Sequence, residues 1–344
     1  MKEVHKKIIN AVIEKAKSKC PKSLALIGIY GSVQTKDTYK KSDLDLLILI
    51  NDDEGWQLSD CFILEDEQIG YDIYCTSWQM LEEDAECHHA HIGKLMDAEI
   101  VYTANKAVTE RLDKLKEKAS DILRTEKRFQ RVNEIQDQIY KLYAYAMTTD
   151  HIGKLREYSA RVIYLSLDMV MIWNSEYFKR GTKRTFEELE GKRLPRDFKE
   201  NIDKIIYSRE TGDTKQILTN LLRSVISFTK RNENRIPPSK EALSGTYEEM
   251  FSNWRNKMSE AADRGDVFSS FMNMASLQVM FTELSDETAL SKWNIMDKFD
   301  PDDLENNAAA FDNALENYRR LYEKLGIEPR CFKNIDEFAE DYLK

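Results

Sequence analysis

Glycine and proline are scarce here, 12 and 6 in 344 residues, and neither occurs between Gly93 and Gly153. With so few breakers, long helical patterns can run undisturbed through the second and third parts of the chain. The five cysteines (Cys20, Cys61, Cys75, Cys87, Cys331) are scattered, without disulfide-type or metal-type spacing. They read as reduced thiols of a cytoplasmic protein. Long apolar runs are missing. The longest, Val162 to Trp173, is interrupted by Ser166 and Asp168 and is too short to span a bilayer. The opening stretch MKEVHKKIIN lacks the apolar core of a secretory signal. Basic character is missing too. The net charge of -10 argues against a partner that is a phosphate backbone, so no nucleic acid and no membrane are expected. P-loop and serine-hydrolase motifs are absent. So are a repeat of fixed period and any low-complexity tract.

What is present suits a soluble protein of two or three domains: 42% hydrophobic and 33% charged residues. Val4, Ile8, Ile9, Val12, Ile13 and Ala16 fall at helical spacing, which predicts a helix over 2–19 with Pro21 just past its end. Strands are expected at Leu24 to Tyr30, Leu44 to Ile50, Cys61 to Leu64, Gly70 to Thr76 and Glu99 to Thr103. Between the last two, residues 77–95 read as a helix with Ser77 as N-cap. Further helices are predicted near 107–127, 128–149, 153–176, 196–208 and 213–232. Beyond the linker Arg235-Ile236-Pro237-Pro238-Ser239 they continue near 246–262, 266–284, 302–325 and 335–343. The expected fold class is α+β, a small mixed-sheet domain over 1–105 followed by helical regions over 106–235 and 236–344.

One constellation carries chemistry. An apolar strand runs into Gly31-Ser32, ten residues of polar loop follow, and then Asp43-Leu44-Asp45 opens a second apolar strand. Side chains alternate along extended chain, so Asp43 and Asp45 point to one face. Two carboxylates placed so closely repel unless a cation lies between them. A hard divalent ion that keeps positions open for phosphate oxygens suits the pair.

Gly-Ser, ten residues, Asp-x-Asp resembles the signature of the nucleotidyltransferase superfamily with a polymerase-β-type palm, which includes kanamycin, streptomycin and lincosamide nucleotidyltransferases and the minimal antitoxin-type members. The likeness covers roughly residues 1–105. The family places a third carboxylate on a later strand, and Asp72, within Ile69-Gly70-Tyr71-Asp72-Ile73-Tyr74, is the candidate here. The segment 162–189, with Asn174, Tyr177-Phe178, Gly181 and Lys183-Arg184, also resembles the helical domain of the antibiotic-modifying enzymes. The resemblance implies attack of a hydroxyl on the α-phosphorus of ATP or another nucleoside triphosphate, with pyrophosphate leaving. Asp43, Asp45 and Asp72 would hold Mg²⁺, and Asp72 is also open to a role as general base. Gly31 and Ser32 would serve the outer phosphates, helped by the N-terminus of a short helix starting at the turn. The expected acceptor is a small molecule of the aminoglycoside or lincosamide kind, as in antibiotic resistance, bound between the two domains. The alternative is a nucleotide-binding regulator, or an antitoxin-type protein that modifies a protein partner with AMP.

Departures and secondary candidates complete the reading. Many relatives carry arginine after the Gly-Ser pair, where Val33 and Gln34 stand here, so Lys36, Lys40 or Lys41 are considered in its place. Glu157 is a candidate base or acceptor-binding carboxylate, or else the partner of Arg161 one helical turn on. Asp168 is a second candidate, or a buried carboxylate paired to a neighbouring helix. Lys183 and Arg184 either reach the nucleotide phosphates or offset a helix dipole. Cys87 and His91, four residues apart on the predicted helix, suggest zinc, but no second ligand pair stands at zinc spacing. A ribonuclease-type Arg, four to six residues, His spacing is not found.

Overall fold

The computed structural model describes residues 2–39, 41–230 and 236–343, with the side chains of 252 and 253 set aside. Contacts divide the chain into two compact units, the first ending at Lys230.

The first unit begins with α1 (Glu3–Lys19), whose Ile8, Ile9, Val12 and Ala16 form one buried stripe. The strands β1 (Leu24–Ile29) and β2 (Leu46–Ile50) are buried throughout. They pair antiparallel, with Ile29 opposite Leu46 and Ile27 opposite Ile48. Between them lies the one-turn helix α2 (Gly31–Gln34). β3 (Asp60–Leu64) and β4 (Ile69–Ile73) form a hairpin that is a separate two-stranded sheet. β5 (Cys75–Ser77) pairs parallel to β2, and β6 (Glu99–Thr103) pairs antiparallel to β1. The result is a four-stranded mixed sheet in the order β5-β2-β1-β6. The expected α+β class holds.

The second strand starts at Leu46 rather than Leu44, because sheet pairing ends at Ile29 opposite Leu46, one residue before the chain turns into α2. Asp43 and Asp45 thus stand just ahead of the strand. Tyr30 N–H still donates to the Asp45 carbonyl at 3.2 Å, which continues the extended course backward.

Why β2 reads as an unbroken apolar run is clear from its two faces. Leu47 and Leu49 point into one core, and Leu46, Ile48 and Ile50 into another. A strand covered on both sides loses the alternation of a half-exposed one. α1 and the β3–β4 hairpin cover one face. On the other lies a core shared with α3 (Trp78–Ala85), α5 (Lys106–Arg124), α6 (Lys127–Thr148), α7 (Ile152–Trp173), α9 (Phe198–Tyr207) and α10 (Thr211–Thr229). Two short helices, α4 (Gly93–Met96) and α8 (Thr185–Glu188), fall between these. Residues 1–105 and the helices that follow therefore share one core within the first unit.

The helix predicted over 77–95 is broken. Ser77 does cap α3 through its hydroxyl, but α3 ends at Ala85, and Cys87 takes the left-handed conformation with φ 56°. Tertiary partners replace the helical bonds beyond it. Ala90 N–H donates to the Asp168 carboxylate at 2.9 Å, and the Ala90 carbonyl accepts from Phe178 N–H at 2.8 Å. Cys87 and His91 therefore do not share a helix face. The Cys87 thiol is buried, with the Ala119 carbonyl as one acceptor.

The second unit holds α11 (Lys240–Leu243), α12 (Thr246–Arg264), α13 (Val267–Glu287), α14 (Leu304–Lys324) and α15 (Ile335–Tyr342). Its core is aromatic and methionine-rich: Tyr247, Met250, Met258, Met274, Phe281, Phe311, Tyr318 and Tyr322. Ile236, inside the predicted linker, bridges to Thr288 as a short parallel pair. Arg235 of that linker lies outside the described residues, as do the last two residues of the helix predicted over 213–232. Among the described residues no helix is long and apolar enough to cross a membrane.

Candidate functional site

The Gly31 turn and the Asp45 carboxylate touch. Gly31 sits at φ +67°, a left-handed conformation that glycine takes without strain. A Cβ added there would fall 2.0 Å from Asp45 Oδ2 and 2.7 Å from its Cγ. No side chain larger than hydrogen fits while the carboxylate keeps its place. Burial pushes the Asp45 carboxyl above its ordinary value, the Asp43 charge adds to this, and the Ser32 backbone N–H opposes it. Thr35 closes the turn, its N–H and hydroxyl both donating to the Gly31 carbonyl. Asp43 is exposed and Asp45 half-buried.

These two carboxylates fit a hard divalent ion that completes its shell with water and phosphate oxygens, since they offer only oxygen donors and their mutual repulsion is what such an ion relieves. The third predicted ligand is placed otherwise. Asp72 projects from the exposed face of β4, opposite Cys61, whose thiol donates to Asp72 Oδ1 at 3.1 Å. That contact holds the Cys61 thiol above its ordinary value. Among the described residues no three His, Cys, Asp or Glu side chains gather closely enough to hold a metal together. Asp72 still belongs to the same field. The Tyr30 phenol is raised to about 12 by burial first, then by the charges of Asp45, Asp84, Asp43 and Asp72.

A cleft of about 310 Å³ opens beside the turn. Tyr30, Gly31, Gln34 and Asp45 form one wall, Asp84, His89, His91, Gly93, Lys94 and Asp97 a second, and Phe178, Lys179, Arg180 and Gly181 a third. Asp84 is buried and pairs with Lys94 at 3.1 Å and His89 at 3.4 Å. Asp97 accepts a hydrogen bond from the Tyr177 hydroxyl at 2.8 Å, while its Oδ2 is buried without a protein partner. A larger hollow of about 550 Å³ lies between α9 and α10, lined by Pro195, Asn201, Arg223 and Ser224 among others, and holds no residue of the signature. The smaller cleft is the better candidate, because chemistry rather than volume marks a site.

Behind the second wall sits Asp168, 1% exposed. Burial raises its carboxyl to about 6, against the Ala90 N–H that stabilises the charge. His91 stacks between Tyr164 and Phe178 at 4.8 and 4.9 Å, and burial lowers its imidazole to about 4. Its Nε2 stands 3.6 Å from Asp168 Oδ1, too long for a hydrogen bond, so burial outweighs the attraction between them.

The other sequence candidates do not line the cleft. Glu157 is exposed on α7 and pairs with Lys154 at 2.8 Å, while Arg161 acts on it only as a weaker, more distant charge. Lys183 donates to the Asp37 carbonyl at 2.6 Å, and Arg184 grips the Asp37 carboxylate through two nitrogens. They bind the signature loop itself and are not spent on a helix dipole. Val33 packs into the core under α1, and Lys36 and Lys41 are exposed. Lys40 lies outside the described residues. Sequence reasoning missed Asp37, Asp84, Lys94 and Asp97. No spacing ties them to the signature, and only the burial of Asp84 within an amphipathic helix marks it out.

No known protein-family model matches the chain, and no curated protein matches it.

Proposed function

We propose that the chain is a nucleotidyltransferase that transfers a nucleoside monophosphate, AMP from ATP, to a hydroxyl of a small molecule and releases pyrophosphate. The observation that carries this reading is the seating of the Asp45 carboxylate against the Gly31 turn, at the wall of a cleft. The spacing from Gly31-Ser32 to Asp43-Leu44-Asp45 becomes, in three dimensions, a left-handed glycine turn against the Asp45 carboxylate. Asp43 and Asp45 would hold Mg²⁺, which when bound neutralises triphosphate charge. In the transfer the acceptor oxygen bonds to the α-phosphorus, the bond to pyrophosphate breaks, and the hydroxyl proton passes to a base. Positioning and charge compensation supply most of such catalysis. Asp97 Oδ2, which has no protein partner at the cleft, would meet an amino group of the acceptor.

The test incubates the chain with Mg·ATP and a panel of aminoglycosides and lincosamides and weighs the products. Addition of one AMP to an acceptor is expected, with loss of at least about a hundredfold in rate for Asp43→Asn and Asp45→Asn and little loss of folding. Full activity in both variants would overturn the assignment of these carboxylates.

A further inference from the structure

Three cations converge on one carboxylate in the loop between α2 and β2. Arg184 donates to Asp37 from Nε at 2.9 Å and from Nη2 at 2.8 Å. Lys183 Nζ stands 3.6 Å from Asp37 Oδ1 and Arg180 Nε 4.0 Å from Oδ2. The Asp37 side chain is only 9% exposed in this grip. Glu187 takes up part of the cationic excess by accepting from Arg180 and Arg184. Glu188 spends its carboxylate on the N–H groups of Lys179 and Arg180.

The position of this cluster matters. Arg180 also lines the cleft that holds Gly31 and Asp45. The turn itself brings no cation, since Val33 and Gln34 follow Ser32. Of the cations at the cleft, Arg180 is thus drawn, with Lys183 and Arg184, onto the loop's own carboxylate, while Lys94 pairs with Asp84 and Lys179 lies over the Tyr177 ring. A guanidinium fork that takes a carboxylate through two nitrogens takes a phosphate equally well, and a phosphate brings more charge. The loop's other ties include Lys183 donating to the Asp37 carbonyl at 2.6 Å and a turn closed between Tyr39 and Ser42. Residues 35–39 and 41–45 form no helix or strand, Lys36 sits at φ 58°, and Asp37 N–H bonds to the Ser32 carbonyl at 2.9 Å.

We propose that Arg180, Lys183 and Arg184 form a seat for the outer phosphates of a nucleoside triphosphate, and that Asp37 holds this seat as an internal competitor until the triphosphate displaces it and frees the loop leading to Asp43. The proposal rests on the nucleotidyltransferase reading of the cleft, and its test is kept separate from transfer.

The probe is sodium tripolyphosphate without divalent ions, titrated calorimetrically into the full chain. A latch closed about 90% of the time lowers apparent affinity about tenfold. Asp37→Asn is therefore expected to bind tripolyphosphate about tenfold tighter than the wild type, and Arg184→Ala to bind it more weakly. In the double variant the gain should disappear. Binding by Asp37→Asn no tighter than wild type overturns the latch. Should that variant fail to fold by circular dichroism, the wild type still decides. Tripolyphosphate should speed hydrogen exchange at the Asp37 amide, and unchanged or slower exchange overturns the proposal. A chain that passes this test but transfers no nucleotide keeps the latch and loses the transferase. One that transfers nucleotide but fails this test loses the latch alone.

Discussion

Replacing Gly31 with alanine should separate the stability of the first unit from the geometry of its site. Two penalties add. Holding a non-glycine residue at φ +67° costs about 1–2 kcal/mol. The new methyl would also lie 2.0 Å from Asp45 Oδ2, so the carboxylate must leave its seat. An off-rotamer side chain costs about 0.5–1.5 kcal/mol. Together these give roughly 1.5–3.5 kcal/mol, below the ~5–15 kcal/mol of a typical fold, so the variant stays folded with a lower melting temperature. At about 2–4 °C per kcal/mol for a unit of this size, the drop is roughly 3–14 °C. Thermal unfolding followed by circular dichroism measures it. Gly70→Ala is the control, because a methyl there meets nothing within 4 Å, and it should melt close to wild type. The double variant with Asp45→Ala adds a cycle. If the carboxylate causes most of the damage, Gly31→Ala should cost clearly less once that carboxylate is gone. AMP transfer should fall at least about a hundredfold in Gly31→Ala, the loss typical of a reacting group displaced by about 1 Å. A Gly31→Ala variant that melts within a degree of wild type, or penalties that simply add in the cycle, would refute the contact between turn and carboxylate.

The Asp168 and His91 pair makes a pH prediction. An acid held up at about 6 contributes stability that is lost as pH rises from its ordinary value, near 4, toward 6, while an imidazole held down at about 4 contributes stability gained as pH rises from about 4 to 6.5. The two slopes oppose, so the pair leaves wild-type stability nearly level across that window. Asp168→Asn removes the falling limb, and urea unfolding should then show stability rising with pH by up to about 1.4 kcal/mol per unit. A profile parallel to that of the wild type would count against the pair. The exposed Cys61 gives a chemical readout of Asp72: removing the carboxylate in Asp72→Asn should lower the thiol's pKa and speed its alkylation at pH 8, with exposed Cys331 as internal reference. Equal alkylation rates before and after the change would show that the Cys61 contact does not form.

Hydrophobic period and turn chemistry reach most of the fold. α1, the buried runs of β1 and β2, the helices from Lys106 onward and the Gly31 turn all follow from patterns a few residues long, because backbone conformation answers to near neighbours. The spacing of Gly31-Ser32 and Asp43-Leu44-Asp45 was legible too, but the contact of the turn with Asp45 comes from the antiparallel pairing of β1 with β2. The break after Ala85 was not. Residues 86–92 carry a helical pattern, but Asp168 and Phe178 claim the backbone groups of Ala90 across long stretches of sequence. The same holds for the rest of the site. Asp84 and Asp97 reach the cleft, and Asp37 meets Arg184 from 147 positions away, through sheet register and helix packing that no local spacing encodes. The chain's order of residues settled which chemistry stands at the turn; the packing of the helices against the sheet settled which charges face it, because contact between distant residues depends on how whole elements pack.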